Sequence, residues 1–317
     1  MRPSPVPASL WAEFRQDMVQ AHPEGGAREV KGTRAELGRG RLRTQLLASS
    51  EGTPCGFALH RPLRYGARQV ETFYLLRTFR SPRALAAELR RFLAASRVAT
   101  LRVDPLVASP AALTGILRPL GFERFVRRRL FIDPRRVRGP LHLPTGFGVR
   151  ALCRKDLEVL PGLWARAYAR HLDEAFVPGG SSRAFSRWYV RFIFERKQPR
   201  LDLSCSFVIE RRGRLIGDVL TTRDARASYI QDVAVDPAYR QRGFGSVLLR
   251  TALSTLASRG ERRVEIGVTV QNPTGAYAIY RHLGFHQVTG RKRDAGLWVN
   301  ARERGRLGWR ALRSRRP

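Results

Sequence analysis

An internal repeat constrains the fold of this chain more than any other feature of its sequence. When the chain is shifted by 163 residues without gaps, residues 109–122 lie over residues 272–285, and six of the fourteen positions are identical. The predicted strands and helices upstream follow one another in the same order at the same offset. We therefore expect a duplicated domain. Two domains of ordinary size account for 317 residues.

Strand-like and helix-like segments alternate in both halves, which predicts an α/β (α+β) fold with a mixed sheet in each domain. Residues 171–200 are rich in aromatic side chains and show no regular period. The elements predicted in the first half are a helix at 9–20, strands at 42–48, 55–63 and 70–78, a helix at 82–96, a strand at 98–103 and a helix at 110–117. Those predicted in the second half are strands at 148–152, 204–211, 214–223, 228–235 and 263–270, and helices at 156–169, 243–258 and 274–282.

Glycine and proline crowd together between residues 138 and 148, which is typical of a domain boundary. We therefore predict one domain at 1–140 and a second at 147–300. Residues 301–317 are rich in arginine, and we expect them to form a basic tail that is partly helical and solvated.

The charge of the chain is extreme, with 59 basic and 26 acidic residues and a net charge of +33. Only four of the basic residues are lysine. The excess of basic over acidic residues is spread evenly along the chain, with 26 basic and 11 acidic residues in 1–145 and 33 basic and 15 acidic residues in 146–317. A nucleic-acid-binding arm would concentrate the charge. We find no basic stripe interleaved with aromatic residues, so compositional bias is favoured and nucleic acid is not an expected partner. Attraction of anionic ligands stays open.

Several classes of protein are not expected. No stretch reaches the ~18 apolar residues of a membrane span, and the first ten residues do not have the pattern of a secretory signal. Cys55, Cys153 and Cys205 are far apart and the histidines are scattered, so we expect neither a disulfide framework nor a metal site. We expect a cytoplasmic protein.

One local motif carries chemistry. A predicted strand ends near Val235, and after a short loop a helix opens with Arg240-x-Arg242-Gly243-x-Gly245. Free N–H groups and the positive end of the helix dipole suit a phosphate there. No lysine follows the second glycine, which excludes a P-loop, and a leucine replaces the third glycine of the dinucleotide fingerprint.

A second block, Asn272-Pro-Thr-Gly-Ala-Tyr-Ala-Ile-Tyr280-Arg-His-Leu-Gly-Phe285, follows the loop. With this block, residues 147–300 resemble the GNAT superfamily of acyl-CoA-dependent N-acetyltransferases. Two such units in one chain resemble the tandem GNAT proteins of bacteria, of the mycothiol synthase-like type.

The resemblance implies acetyl-CoA as co-substrate and gives roles to particular residues. The backbone around Val233 would pair with the pantetheine arm, Asn272 would hydrogen-bond that arm, and Tyr280 would protonate the departing thiolate. Asn272 could equally be a helix N-cap, and Tyr280 a buried aromatic residue. The residues implied in coenzyme binding are Val233, Ala234, Val235, Arg240, Gln241, Arg242, Gly243, Phe244, Gly245, Ser246 and Asn272.

The general base is not settled by the motif. Many GNAT enzymes have glutamate two residues before the first valine of this strand, where the chain has Gln231, which cannot take a proton. Asp232 is adjacent, but alternation along a strand would point it to the opposite face. Asp232 and Glu174 are the leading candidates, and Asp218, Asp173 or a chain of waters are further ones.

The first copy is predicted to be degenerate. At the 163-residue offset, Gly243 becomes Arg80, Gly245 becomes Pro82 and Tyr280 becomes Leu117. Proline removes an N–H donor that a phosphate would need.

We therefore predict that the second domain transfers an acetyl group from acetyl-CoA to a primary amine of a small molecule or peptide. The acceptor and the oligomeric state cannot be identified from the sequence. The rival hypothesis is a GNAT-scaffold binding protein without turnover, contacting nucleic acid or a protein. An aminoacyl transferase of the peptidoglycan-bridge type is a third.

Overall fold

The computed structural model describes residues 6–23, 26–63, 66–103, 107–137, 142–171, 173, 182–195, 199–224, 227–288 and 295–308. Contacts divide the chain into two compact units. The first unit comprises Met1–Phe125 and Gly296–Gly308, and the second comprises Val126–Ala295 and Trp309–Pro317. These bounds differ from the predicted domains, because residues 126–140 fall in the second unit and residues 296–300 in the first.

The first unit has a mixed sheet with helices packed on it. Strands β1 to β3 are antiparallel neighbours, β3 and β4 are parallel, and β13 is antiparallel to β4. Its core brings together Phe57, Phe73 and Leu89, all fully buried. The strands in sheet order are β1 (Arg43–Ala48), β2 (Pro54–Pro62), β3 (Arg68–Leu75), β4 (Val98–Val103) and β13 (Ala295–Asn300). The helices are α1 (Ala8–Ala21), α2 (Gly26–Gly38), α3 (Pro82–Ala94), α4 (Pro110–Leu117) and α9 (Ala301–Leu307).

The second unit also has a mixed sheet. β10 and β11 are its parallel pair, while β9 is antiparallel to β10 and β5 is antiparallel to β11. Two apolar clusters fill this unit, one around Leu248 and one around Leu160. The strands in sheet order are β5 (Phe122–Ile132), β11 (Val264–Thr269), β10 (Ser228–Val235), β9 (Arg214–Arg223), β8 (Phe207–Arg211) and β6 (Gly148–Ala151), with β7 (Arg200–Leu201) beside β9 and β12 (His286–Gln287) beside β5. The helices are α5 (Leu160–Ala167), α6 (Arg183–Glu195), α7 (Phe244–Ser258) and α8 (Ala276–His282).

The predicted α/β class with two domains and mixed sheets is confirmed, and the order of elements repeats between the units. Six of these helices and strands were not predicted: α2, β5, α6, β7, β12 and β13. Helix α6 was missed because aromatic residues such as Trp188 and Phe192 occupy exposed positions where a surface helix usually has polar residues, which blurs the helical period.

The beginning of the predicted tail is ordered. Asn300 caps α9 by accepting from the N–H groups of Arg302 and Glu303. Glu303 is only 5% exposed and pairs with Arg97 at 3.0 Å. Residues 301–307 are helical, as expected, and most of their side chains are at least partly exposed, but Glu303 is buried. Residues 309–317 lie outside the described residues. None of the described helices is both long and apolar enough to span a bilayer.

Candidate active site

The two parallel strands at the centre of the second unit separate along their length. Their ladder runs from Ser228 opposite Val264 to Ile230 opposite Ile266. Beyond that point β10 continues to Val235 and β11 to Thr269 without pairing to each other. The separation leaves backbone groups of β10 on that side available to a ligand.

A cavity of about 800 Å³ lies at this opening. Tyr280 and Asp232 are both in its wall. The wall also includes almost all of the predicted coenzyme-binding residues, namely Val233, Ala234, Val235, Arg240, Gln241, Gly243, Phe244, Gly245, Ser246 and Asn272. The exception is Arg242, whose exposed guanidinium lies 5.8 Å from the ring centre of Tyr239.

Helix α7 begins at the cavity with an uncapped N-terminus. Gly243 precedes it with φ +81°, a conformation that favours glycine. Within the described chain no side chain caps this helix. The first N–H groups of a helix have no intrahelical acceptor, so those of Phe244, Gly245 and Ser246 are available to an anion.

Arginine side chains hold the loop before α7 in place. Arg240 donates to the carbonyl oxygen of Val235 at 3.1 Å and to that of Ala167 at 2.5 Å. Asp236 accepts from Arg166 at 2.8 Å and from the N–H of Ala238. Burial opposes the charge of Asp236, but the hydrogen bond from Arg166 keeps the pKa of this carboxyl below its usual value. Arg240 thus has a structural role in addition to its positive charge at the cavity.

The hydrogen bonds around Asn272 determine which way its amide faces. Its Oδ1 accepts from the N–H and the hydroxyl of Thr274 at 2.9 and 2.6 Å. Burial lowers the pKa of His171, so its ring is neutral. Its Nδ1 accepts from the N–H of Asp173, and the ring proton is therefore on Nε2. Nε2 donates to Oδ1 of Asn272 at 3.2 Å. The Nδ2 amide group of Asn272 therefore remains as a donor. Gly275, not Asn272, is the N-cap of α8.

Tyr280 on α8 lines the cavity. Its ring is 7% exposed and packs 5.7 Å from that of Phe285. Its hydroxyl makes no hydrogen bond to a residue that the structure describes. Burial raises the pKa of this phenol, so Tyr280 carries a proton that it can donate.

A bulge in β10 changes the direction of Asp232. The pairing with β9 shifts between Ile230 and Asp232, and Gln231 is the extra residue. A bulge interrupts the alternation of side chains, so Gln231 and Asp232 both line the cavity. The expectation that Asp232 points to the opposite face was wrong for this reason.

Asp232 belongs to a buried network of acidic groups. Tyr168 donates to its Oδ1 at 2.5 Å. The neighbouring Asp218 is fully buried and accepts from the indole N–H of Trp164 at 3.0 Å. Burial raises the pKa of both carboxyls, and the charge of Asp232 raises that of Asp218 further. A carboxyl with a raised pKa is a stronger base than an exposed one.

Two further carboxylates were candidates for the base, Asp173 and Glu174. Asp173 lines the cavity and accepts from the hydroxyl of Thr269 at 2.7 Å. Glu174 lies outside the described residues.

A comparison with known families agrees with this geometry. The model of the acetyltransferase (GNAT) family matches residues 163–285. The second unit contains a GNAT acetyltransferase domain.

Curated relatives match about half of the chain. An uncharacterized N-acetyltransferase of Methanocaldococcus jannaschii is 28% identical over 148 residues, which are 44% of this chain and 61% of the relative. A mycothiol acetyltransferase of Thermobispora bispora is 32% identical over 181 residues, which are 53% of this chain and 57% of the relative. The chain therefore spans little more than half the length of these relatives.

A solved structure supports the fold over almost the whole chain. A GCN5-related N-acetyltransferase from Sphaerobacter thermophilus is 20% identical, covers 94% of this chain and 93% of its own, and has a TM-score of 0.52. At this identity the likeness concerns the fold alone.

Sequence reasoning missed three cationic residues of the cavity, Arg127, Arg166 and Arg170. Arg127 lies on β5, opposite Thr269, and lines the cavity of the GNAT domain. Its positive charge favours the ionised form of Asp232. It precedes both the matched segment and the predicted domain at 147–300, and no local motif marks it. Tyr168 and His171 were missed for a related reason, since their partners are about 64 and 101 residues away.

Proposed function

We propose that the GNAT domain transfers an acetyl group from acetyl-CoA to a primary amine. One observation carries this proposal: β10 leaves β11 beside the uncapped start of α7. An extended amide chain and a pyrophosphate group on the same molecule would satisfy both sets of unpaired backbone groups.

The chain has candidate partners for the pantetheine arm and for the pyrophosphate of the coenzyme. The pantetheine arm would pair with β10 between Val233 and Val235. Its carbonyl would accept from Nδ2 of Asn272, the donor that the network around His171 leaves available. The pyrophosphate would accept from the first N–H groups of α7, where the helix dipole favours negative charge.

The chemistry requires two proton transfers. The amine nitrogen attacks the thioester carbon, a C–N bond forms, and backbone N–H groups of β10 would stabilise the oxygen that becomes negative. The C–S bond then breaks, and Tyr280 donates its proton to the thiolate. The amine proton leaves toward Asp232, directly or through water. Both reactants held in one cavity gain the advantage of proximity.

Asp232 is our choice for the base, because its raised pKa and its position beside the pantetheine strand suit the role. Asp173 stands on the same cavity and is the alternative. Gln231 would then bind rather than react, and it donates to the hydroxyl of Tyr189 at 2.8 Å.

The test is release of free CoA from acetyl-CoA with a panel of amine acceptors. The name of the Thermobispora relative places mycothiol-type acceptors first in that panel, followed by peptide N-termini and lysine side chains. We expect release above the rate without acceptor for at least one class, and loss of that release in Gly243→Asp.

The opposite result would be tight binding of acetyl-CoA with no release for any class of amine. It would favour the rival hypothesis of a GNAT-scaffold binding protein without turnover. Absence of acetyl-CoA binding would contradict the site itself.

A further inference from the structure

Helix α6 presents an exposed row of aromatic rings. Phe185, Trp188, Tyr189 and Phe192 occupy one side of it, and Trp188 and Phe192 are 58% and 44% exposed. We call these four residues the α6 aromatic face. Large exposed aromatic side chains that lie together are typical of binding surfaces.

Most neighbouring rings of this face lie roughly parallel to one another, whereas the planes of Phe185 and Trp188 are tilted by 55°. Trp188 and Phe192 have ring centres 5.6 Å apart and an angle of 16° between planes. Phe185 and Tyr189 are 5.6 Å apart at 30°, and Trp188 and Tyr189 are 6.1 Å apart at 27°. A row of roughly parallel rings offers flat surfaces on which other planar groups can stack.

Three arginines accompany the aromatic face at intervals of four residues. Arg183, Arg187 and Arg191 lie on the same helix, and all three are exposed. Arg183 and Arg187 make no ion pair with any residue that the structure describes. Arg191 lies 3.7 Å from Glu195, but both side chains are about 70% exposed, so this pair is weak. The flank of the aromatic face is therefore positively charged.

We propose that the α6 aromatic face binds a single-stranded nucleic acid. Unpaired bases would stack on Trp188 and Phe192, and backbone phosphates would contact the flanking arginines. Aromatic platforms beside a positive groove bind single strands in this way with little sequence preference. The net charge of +33 would speed the encounter.

The combination of charges and rings favours this occupant over others. A cationic peptide would be repelled by three arginines. A duplex keeps its bases stacked inside, so it could use only the arginines. Nucleic acid was not an expected partner from the sequence because no basic stripe interleaved with aromatic residues was found there, and α6 is such a stripe.

The test is fluorescence anisotropy with a labelled oligouridylate of about 12 nucleotides and a duplex of the same length, at about 150 mM salt. We expect the single strand to bind more tightly than the duplex. The double variant Trp188→Leu and Phe192→Leu keeps the charge and removes the rings, and should bind about tenfold more weakly. Trp188→Phe keeps a ring and should retain most of the affinity. Thermal unfolding checks that each variant is folded.

Salt dependence separates the arginines of α6 from the general charge of the chain. The variant Arg183→Ala with Arg187→Ala should reduce the slope of log affinity against log salt by about 0.7 for each phosphate that is no longer neutralised. The matched control is Arg83→Ala with Arg90→Ala, which removes two exposed arginines of α3. It should leave the slope of log affinity against log salt unchanged.

Three results would overturn the proposal. The leucine variant could bind the single strand as well as the unchanged protein does. The duplex could bind as tightly as the single strand. Sedimentation could show a dimer that the leucine variant dissociates, which would mean that a second copy of the chain covers this face.

Discussion

The two units have the same order of elements, but only one keeps its central parallel strands apart. In the first unit β3 pairs with β4 from Arg68 to Phe73, nearly to the end of the strand. In the second unit the equivalent pairing stops at Ile230, and β10 continues to Val235 paired with β9 but not with β11. The groups that a ligand would use on β10 are thus used by the protein itself on β3.

The helices that follow these strands differ in the same way. Helix α3 begins with Ser81, whose side chain accepts from the N–H of Ala84, and Pro82 removes a further donor. Helix α4 begins alike with Ser109 and Pro110. In the second unit α7 has no side-chain cap, and its N-cap is Gly243.

Two arginines of the first unit are paired with a carboxylate of the same unit. Arg77 and Arg80, which replace Arg240 and Gly243 at the repeat offset, both bind Asp17 of α1. Asp17 is 4% exposed; burial opposes its charge, but hydrogen bonds from Arg80 and Arg77 lower its pKa. A carboxylate of the protein therefore pairs with arginines that correspond in sequence to the loop before α7. The first unit satisfies the starts of α3 and α4 with its own side chains, whereas the second leaves the start of α7 for a ligand.

The largest effect should follow from closing the start of α7. Gly243→Asp adds a negative charge where the pyrophosphate would lie, and aspartate is strained at φ +81°. We expect calorimetry to show one acetyl-CoA site per chain, with affinity reduced at least ~100-fold by the substitution.

Gly213→Asp is the matched control for that experiment. Gly213 has φ +74° in the turn between β8 and β9, away from the cavity. It carries the same strain and charge but should leave acetyl-CoA affinity unchanged. Two sites per chain, or equal losses in both variants, would contradict the difference between the units.

Removing the hydroxyl of Tyr280 should lower turnover strongly. The first unit has Leu117 at this position, so Tyr280→Phe makes the second unit more like the first. We expect kcat to fall about 100-fold, as for loss of a general acid, while the Kd for acetyl-CoA changes little.

Tyr277→Phe is the control on the same helix. Its hydroxyl accepts from Arg128 at 3.1 Å, and its side chain is not part of the cavity wall. Equal kcat values for Tyr280→Phe and the unchanged protein would make Tyr280 a purely structural residue.

Asp17→Ala should destabilise the first unit without creating a ligand site. It leaves Arg77 and Arg80 without their shared partner, and we expect the free energy of unfolding to fall by about 2 kcal/mol in urea titrations. Acetyl-CoA stoichiometry should stay at one, because β3 and β4 remain paired.

The contribution of Asp17 should also depend on pH in a defined direction. Because folding lowers its pKa, the stabilisation is present above about pH 4 and is lost as the pH falls through the lowered value. The difference in stability between the unchanged protein and Asp17→Ala should therefore shrink in acid.

A second acetyl-CoA site in the Asp17→Ala variant would mean that Asp17 alone blocks the first unit.

The smallest effect concerns the pH profile of the second unit. The base must be deprotonated, so kcat/KM should rise with pH through the raised pKa of Asp232. Tyr168 donates to the ionised form and lowers that pKa. Tyr168→Phe should therefore shift the acidic limb of the kcat/KM profile to higher pH, by about one pH unit. An unmoved limb would exclude Asp232 as the base and favour Asp173.

The sequence by itself determined those features that depend only on residues close together in the chain. The glycine-opened helix at 243–246, the block from Asn272 to Tyr280 and the self-capped helices at Ser81 and Ser109 are read within a few positions of the chain. A helix start needs only its own first turn to bind an anion or to satisfy itself. For this reason the α/β class, the repeat and the family of the second unit could be predicted.

Tertiary structure decided what depends on pairing between distant segments. It placed Arg127 in the cavity through the pairing of β5 with β11, and it turned Asp232 inward through a bulge that exists only in the register with β9. It also paired Asp17 with Arg77 and Arg80, about 60 residues away. Such contacts are set by strand register and by the packing of whole elements, and no local pattern of residues encodes them.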